Sequence, residues 1–259
     1  MTEAEWLSCT DPMAMLDSLR GPPSTSTKVV SATAVLETAY PHQRISERKS
    51  RLFACACCRH VWHLLLDPRS QNAVEVAERF ADGWATLEEI QAAAESGFQA
   101  NLDEMVRPEP SPAAFAAFDA ADTDEHGAQQ AAYMVWCAIG REMGHSGDPA
   151  RQFARREAME AERASQAELL RCLFGNPFCP AVLVDDSLRA WNRDVIIHLA
   201  QAAYYERSLP QGILAPARLA VLADALEEAG AEVHLVRHLR GVGPHVRGCH
   251  VVDAILGKS

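Results

Sequence analysis

Apolar residues recur every three or four positions along most of the chain, and helix-capping signals separate the apolar runs. The segment between Asp67 and Gly83 is typical, because a capping residue followed by a proline opens it and a glycine closes it. The same signal recurs at Asp148. Pro177 and Pro180 exclude helix from one extended connection. No series of strands is indicated, so the pattern predicts an all-α protein, a multi-helix globular bundle with short capped helices.

Charge along the chain suggests how the helices are organised. Residues 103–125 are rich in acids and contain a single base, Arg107, which is typical of a solvated face or a connection. We therefore expect an N-terminal helical half at 1–110, an acidic connecting segment and helix at 111–147, and a C-terminal helical half at 148–259. One continuous domain is the alternative division.

Composition narrows the functional classes. The 259 residues are 48% hydrophobic and 23% charged, as in an ordinary globular protein. The formal net charge of −11 opposes nucleic-acid binding, and the basic stretch 43–51 lacks interleaved aromatic residues. No apolar run approaches the about 20 residues of a membrane span, and the N-terminus lacks a signal-peptide pattern. Eight cysteines then indicate reduced thiols in a cytoplasmic protein.

Several phrases spread over most of the chain resemble an uncharacterised, paralogue-rich bacterial family of the planctomycete type. They are "MTEAEWLSCTDPMAMLDSLRG", "SERKSRLFACACCRHVWHLL", "SQNAVEVAERFADG", "LLRCLFGNPF", "VLADALEEAG" and "GPHVRGCHVVDAILGK". The phrase "ARLAVLADALEEAG" has a weaker resemblance to the repeat-companion domain that accompanies leucine-rich repeat proteins. The resemblance implies no known activity, cofactor or catalytic residue.

Three features depart from the pattern of that family. The segment from Pro22 to Ile45 looks inserted, and its stretch "VVSATAVLETAY" is compatible with either a strand or a short helix. Cys179 stands where the family has an arginine, and His250 stands where it has an aromatic residue. These differences argue against a family-wide role for Cys179 or His250, or alternatively they mark a specialised paralogue.

The stretch "CACCRH" concentrates Cys55, Cys57 and Cys58 on one predicted helix. Cys55 and Cys58 share a helical face, and the favoured interpretation is that these small side chains pack in the core. A redox role is disfavoured because the pair lies two turns into the helix rather than at its N-terminus. A zinc site at Cys55, Cys58 and Cys249 is the alternative. Structural zinc takes four ligands, and other groups could complete the site: Cys9, Cys172, Cys179, His245, His250.

The histidine-rich C-terminal part offers two further sites. His234 and His238 are spaced as a metal-binding pair on a helix, or they lie on a solvated helix face. His245, Arg247 and His250 surround a glycine-rich loop before the last predicted helix, where free backbone N–H groups favour anions. We expect a preference for anions or acidic peptides there, stronger at pH 6 than at pH 8 because the histidines would gain charge. Alternatively, the loop only connects two helices and Arg247 bonds to an acidic neighbour.

No nucleophile, phosphate-loop or paired-carboxylate motif is evident. The favoured hypothesis is therefore a cytoplasmic, non-catalytic protein-interaction or adaptor module that binds a protein partner, with no cofactor, no nucleic acid and no membrane. Two alternatives stay open: a zinc-stabilised helical protein, and an enzyme with an anion site in the loop 241–250. The oligomeric state does not follow from the sequence.

Overall fold

The computed structural model describes residues 1–20, 45–122, 126–144, 146–179 and 184–258. Residues 22–44 of the segment expected to be an insertion lie outside these ranges, so the expectations for it are not addressed by the structure. Residues 180–183 of the connection after Pro177 also lie outside them. Within the described residues the chain forms thirteen α-helices, one 3₁₀ turn and one pair of two-residue strands. The predicted all-α, multi-helix globular fold is therefore confirmed.

The first eight helices run from the N-terminus to the middle of the chain: α1 (Glu3–Ser8), α2 (Pro12–Arg20), α3 (Glu47–His60), α4 (Pro68–Ala81), α5 (Leu87–Met105), α6 (Ala113–Ala121), α7 (Gly127–Glu142) and α8 (Pro149–Phe174). The remaining elements complete the chain: α9 (Asp186–Arg189), α10 (Val195–Tyr205), β1 (Arg207–Ser208), β2 (Ile213–Leu214), α11 (Pro216–Glu228), α12 (Val233–Leu239) and α13 (His250–Leu256). The strands pair antiparallel, with Arg207 opposite Leu214.

Local capping explains where several helices begin. Thr2 and Thr86 each form a capping box, in which the threonine hydroxyl accepts a hydrogen bond from the N3 amide and the N3 glutamate accepts one from the cap amide. The carboxylates of Asp67 and Asp148 accept backbone N–H bonds ahead of a proline at the first helical position. These side chains satisfy amides that would otherwise lack partners, so short helices begin where the sequence predicts.

Helix α3 forms the centre of the N-terminal bundle, where it packs against α4, α6, α7 and α8. Its cysteines Cys55, Cys57 and Cys58 are buried in the core, and the Cys55 thiol donates a weak hydrogen bond to the Val74 carbonyl oxygen at 3.7 Å. Burial raises the pKa of the Cys55 thiol to about 12. These thiols therefore stay protonated at neutral pH and act as small, nearly apolar side chains.

The 26-residue helix α8 connects the bundle to the C-terminal helices. It packs against α2, α3 and α7, and its C-terminal part also contacts α13. Helices α10, α11, α12 and α13 pack on one another, and their buried residues belong to one core cluster with those of the bundle. The segment 111–147, expected to be an acidic connecting segment and helix, contributes α6 and α7 to that core.

A buried ion pair fastens the strand pair to the bundle. Glu78 of α4 accepts two hydrogen bonds from Arg59 of α3, at 2.7 and 2.8 Å, and two from Arg207 of β1, both at 2.9 Å. Burial alone would raise the pKa of Glu78, but the two guanidinium groups lower it from 4.5 to about 2. The carboxylate is therefore charged throughout the neutral range.

We predict a pH-dependent stabilisation by Glu78. Because its folded-state pKa lies below 4.5, the stabilisation is complete above pH 4.5 and is lost as the pH falls towards 2. Glu78→Gln should lower the free energy of unfolding at pH 7 by about 3–5 kcal/mol, and its difference from the parent should shrink below about pH 4.5. Urea titrations across this range measure the difference. The exposed Glu157→Gln is the control, and a pH-independent difference for Glu78→Gln would contradict the assignment.

A further prediction concerns the thiols of α3. Cys55→Ser and Cys58→Ser should each lower the free energy of unfolding by roughly 1–3 kcal/mol, because each replaces a nearly apolar thiol in the core with a more polar hydroxyl. Denaturant titration should detect both effects, whereas Cys179→Ser, at an exposed position, should leave stability unchanged. Loss of an equivalent of bound zinc in either α3 variant would refute the packing interpretation.

Candidate metal centre

Four side chains from three separate segments converge at the end of α8. Their ligand atoms, two thiol sulfurs and two imidazole nitrogens, all lie within 4.8 Å of one another: Cys172, His238, His245, Cys249. His238 Nε2 lies 3.2 Å from Cys249 Sγ. His238 is half-buried and the other three residues are buried. We call this set the Cys₂His₂ cluster.

The secondary structure positions each member of the cluster. Cys172 lies in the last turn of α8, His238 lies near the end of α12, and Cys249 directly precedes α13. The loop between α12 and α13 brings in His245, whose carbonyl oxygen accepts a hydrogen bond from the Leu214 amide of β2 at 2.8 Å. The strand pair thus holds the loop against the end of α8.

Gly248 permits the close approach of the loop to the core. Its φ angle is +91°, a conformation that glycine adopts readily. A Cβ atom there would also lie 2.8 Å from methyl carbons of both Leu173 and Leu52. A larger residue would therefore displace Cys249 from Cys172.

Contacts within the cluster shift the pKa values of its members. Burial would raise the pKa of Cys249, but interactions with the Cys172 thiol and the two nearby imidazoles hold it well below its ordinary value. The hydrogen bond to Cys249, together with burial, raises the pKa of Cys172. For His245, burial acts to lower the pKa and interaction with Cys249 outweighs it, so that the pKa is raised. The cluster therefore favours a thiolate at Cys249 beside two imidazoles.

Two sulfur and two imidazole ligands match a structural zinc site. Zn–S bonds of about 2.3 Å and Zn–N bonds of about 2.0–2.1 Å in a tetrahedron place ligand atoms roughly 3.3–3.8 Å apart. The observed limit of 4.8 Å requires only a small contraction. Soft sulfur donors favour zinc over magnesium or calcium, which prefer oxygen. Four protein ligands also fill the tetrahedron, which is the arrangement of structural rather than catalytic zinc.

His250 borders the cluster without joining the ligand set. Its Nδ1–H donates to the Cys172 carbonyl oxygen at 2.9 Å, and its ring centroid lies 4.2 Å from that of His238. Burial, with a smaller contribution from His238, lowers the pKa of His250 to about 4. A neutral imidazole here fixes the backbone that carries Cys172, as partners outside the ligand set do in metal sites.

The structure does not bring Cys55 and Cys58 together with Cys249. The α3 thiols lie in the core beside α4, whereas Cys249 faces Cys172 of α8. Among the described residues, the Cys₂His₂ cluster is the single group of three or more cysteine, histidine or acidic side chains arranged to hold a metal. The sequence-based zinc hypothesis thus identified one of the four ligands in its leading set.

His245, Arg247 and His250 do not converge on one anion site either. His245 enters the cluster and His250 binds the Cys172 carbonyl, whereas the Arg247 guanidinium lies 5.4 Å from both the Trp84 and Tyr204 rings. With its pKa of about 4, His250 gains almost no charge between pH 8 and pH 6. The expected strengthening of anion binding at pH 6 therefore receives no support from His250.

Sequence reasoning paired His238 with His234 and gave Cys172 only as one of several completing groups. His234 is exposed beside Glu232, with their side-chain atoms 3.1 Å apart, and lies outside the cluster. The local signal for the site was the spacing of His238, His245 and Cys249 within one glycine-rich segment. Cys172 joins them through tertiary packing, which no local pattern reveals.

Comparison of the chain with protein-family models, curated proteins and solved structures finds no match. The resemblance to a planctomycete-type family thus stays a prediction. Among the described helices, none combines the length and apolar character that crossing a membrane requires.

Proposed function

We propose that this chain is a zinc-stabilised helical protein in which one Zn²⁺ fastens the C-terminal helices to the end of α8. The observation that carries the proposal is the convergence of the Cys₂His₂ cluster, with all ligand atoms within 4.8 Å. Zinc binds cysteine as the thiolate and histidine as the neutral imidazole. The lowered pKa of Cys249 favours the thiolate form of that cysteine.

The hydrogen bonding of His245 supports a metal at this site. Its Nε2 lies 3.3 Å from the Gly241 carbonyl oxygen, to which a protonated Nε2 can donate. Its Nδ1 is buried and has no hydrogen-bond partner. Metal-bound histidines typically donate one ring N–H to a carbonyl and bind the metal through the other nitrogen. A zinc ion would thus satisfy a buried group that otherwise carries a desolvation cost.

The site supports a structural role for the metal. Helices α12 and α13 have seven residues each, too few for stable helices in isolation. A metal held by residues before, between and at the ends of these helices would fix their arrangement, so that binding free energy becomes folding free energy. This role agrees with the hypothesis of a non-catalytic protein, and zinc–thiolate ligation suits the expected reducing cytoplasm.

We predict one equivalent of zinc per chain in protein expressed with zinc. Elemental analysis should show its loss in Cys172→Ser and Cys249→Ser, whereas Cys58→Ser and Cys179→Ser should retain it. Chelation should lower the Tm of the parent by at least about 10 °C, since each kcal/mol corresponds to about 2–4 °C in a chain of this size. A parent without zinc, whose Tm responds neither to added zinc nor to chelator, would exclude the proposed function.

We propose a second role, as a protein-interaction module, because of a groove between α7 and α8. The groove has a volume of about 680 Å³, and its lining includes Trp136, Met159, one acid, Glu160, and three arginines: Arg155, Arg156, Arg163. Among the described residues, none of these arginines forms an ion pair within 4.0 Å. The exposed Tyr133 ring lies 5.7 Å from the Trp136 ring, and exposed Phe153 follows a lining residue. Arginine, aromatic and methionine side chains are enriched in interfaces, and the excess positive charge suits an acidic segment of a partner.

The groove predicts binding of an acidic peptide that contains an aromatic anchor. A fluorescent peptide of glutamates around one phenylalanine should bind the parent, and Arg156→Glu with Arg163→Glu should weaken binding at least about tenfold, because like charges then oppose the peptide. Fluorescence anisotropy measures the change. Arg151→Glu, on the same helix but outside the lining, is the matched control. Equal affinity of parent and double variant would remove the groove as the peptide site.

A further inference from the structure

A second polar centre adjoins the Cys₂His₂ cluster, because Lys49 donates to the carbonyl oxygens of Leu173 and Gly248, which neighbour Cys172 and Cys249 in the chain. Four cations surround two carboxylates: Arg48, Lys49, Arg247 and Lys258 around Asp82 and Asp253. We call this set the basic centre. Its members come from the start of α3, the end of α4, the loop, α13 and the residues after it.

The two α3 cations are fully engaged. Arg48 binds Asp253 at 2.6 Å, Asp82 at 3.1 Å and the Tyr204 hydroxyl at 2.7 Å. Lys49 Nζ lies 2.7 Å from Asp253 Oδ2 and donates to the Leu173 carbonyl oxygen at 2.8 Å. Both carboxylates are therefore already used by Arg48 and Lys49.

Arg247 and Lys258 have weaker partners. Arg247 Nε lies 3.4 Å from Asp82 Oδ2, in a geometry that forms no hydrogen bond, and the atom is buried without any other partner. Lys258 Nζ lies 3.5 Å from Asp82 Oδ1. Both cations also contact the Trp84 and Tyr204 rings, at 5.1 to 5.6 Å from the centroids.

The charges of the basic centre do not balance. Among the residues that the structure describes, four cations face two carboxylates, and Tyr204 supplies no negative charge because burial, foremost, raises its pKa. The side chains of Arg247 and Lys258 are only 9% and 22% exposed, and that of Asp82 is not exposed at all. Buried charge in excess is costly unless an opposite charge compensates it, and ring contacts compensate it only in part. The arrangement therefore favours an additional anion.

A solvent-facing aromatic pair borders the basic centre. Trp84 stacks on Tyr205 with ring centroids 5.3 Å apart, and these residues are 48% and 47% exposed. Trp84 also contacts both Arg247 and Lys258. An anion at these two cations would thus lie beside an exposed aromatic surface.

We propose that the basic centre binds a phosphate group between Arg247 and Lys258. A phosphate has the double charge that the centre lacks, and its oxygens can accept the free Nε–H of Arg247 together with a Lys258 N–H. The group could be free inorganic phosphate or part of a larger molecule whose ring stacks on Trp84. Neither His245 nor His250 is part of the proposed site, because their rings bond to the Gly241 and Cys172 carbonyl oxygens instead.

The test uses the zinc-loaded full chain and two probes, inorganic phosphate and phenyl phosphate, with sodium chloride at matched ionic strength. Each phosphate probe should raise the Tm saturably, since a ligand specific to the native state stabilises it. Calorimetric titration should show at least tenfold weaker binding for Lys258→Gln and for Arg247→Gln. Tighter binding of phenyl phosphate would indicate a ring-bearing ligand, and equal affinities would indicate the phosphate group alone; either supports the site.

Arg240→Gln is the matched control, because Arg240 is an exposed arginine on the same segment that pairs with Asp224 and Glu227. It should bind both probes like the parent. Lys258→Gln keeps the proposal testable if Arg247→Gln fails to fold. A parent whose Tm responds to phosphate no more than to sodium chloride, or a folded Lys258→Gln that binds like the parent, would overturn the proposal.

Discussion

The end of α8 is the point on which the remaining parts of the structure depend. Cys172 there meets the two imidazoles and the thiol of the C-terminal segment. The same helix end also binds the N-terminal segment. Arg171 donates to the Trp6 carbonyl oxygen at 2.8 Å, and the Trp6 indole N–H donates to the Gly175 carbonyl oxygen at 3.1 Å. Lys49 of α3 donates to the Leu173 carbonyl oxygen. Carbonyls at this helix end thus accept hydrogen bonds from residues near both ends of the chain, which satisfies groups that a helix end otherwise leaves without partners.

The same residue type has two roles in this protein because its surroundings differ. In α3, Cys55 lies among apolar side chains, and burial raises its pKa to about 12, so the thiol stays neutral and packs. Cys249 is equally buried, but two nearby imidazoles and a second thiol interact with it and lower its pKa. Both thiols are buried, so the polarity of the neighbouring side chains decides which cysteine can become a metal ligand.

Sequence reasoning succeeded where the determining interaction is local. The capping boxes at Thr2 and Thr86 and the Asp67-Pro68 and Asp148-Pro149 starts follow from side chains that bind amides two or three residues away. Helical period and glycine stops then suffice to predict an all-α fold.

The candidate site could be predicted only in part. The most conspicuous pattern, the cysteine run of α3, directs its thiols into the core, and helical spacing alone does not reveal where a neighbouring helix lies. Cys172 approaches Cys249 because Gly248 lets the loop reach Leu173 and Leu52. Arg247 points away from His245 because Asp82 and two aromatic rings attract it. Both outcomes depend on contacts between distant parts of the chain.

X-ray absorption fine structure at the zinc edge of the metal-loaded protein tests the central claim most directly. A site formed by Cys172, His238, His245 and Cys249 should give two sulfur scatterers at about 2.3 Å and two imidazole nitrogens at about 2.0–2.1 Å, with no oxygen. In Cys249→Ser, the sulfur contribution should fall by half or the zinc should be lost. A shell of oxygen and nitrogen alone, or one unchanged by Cys249→Ser, would contradict this account.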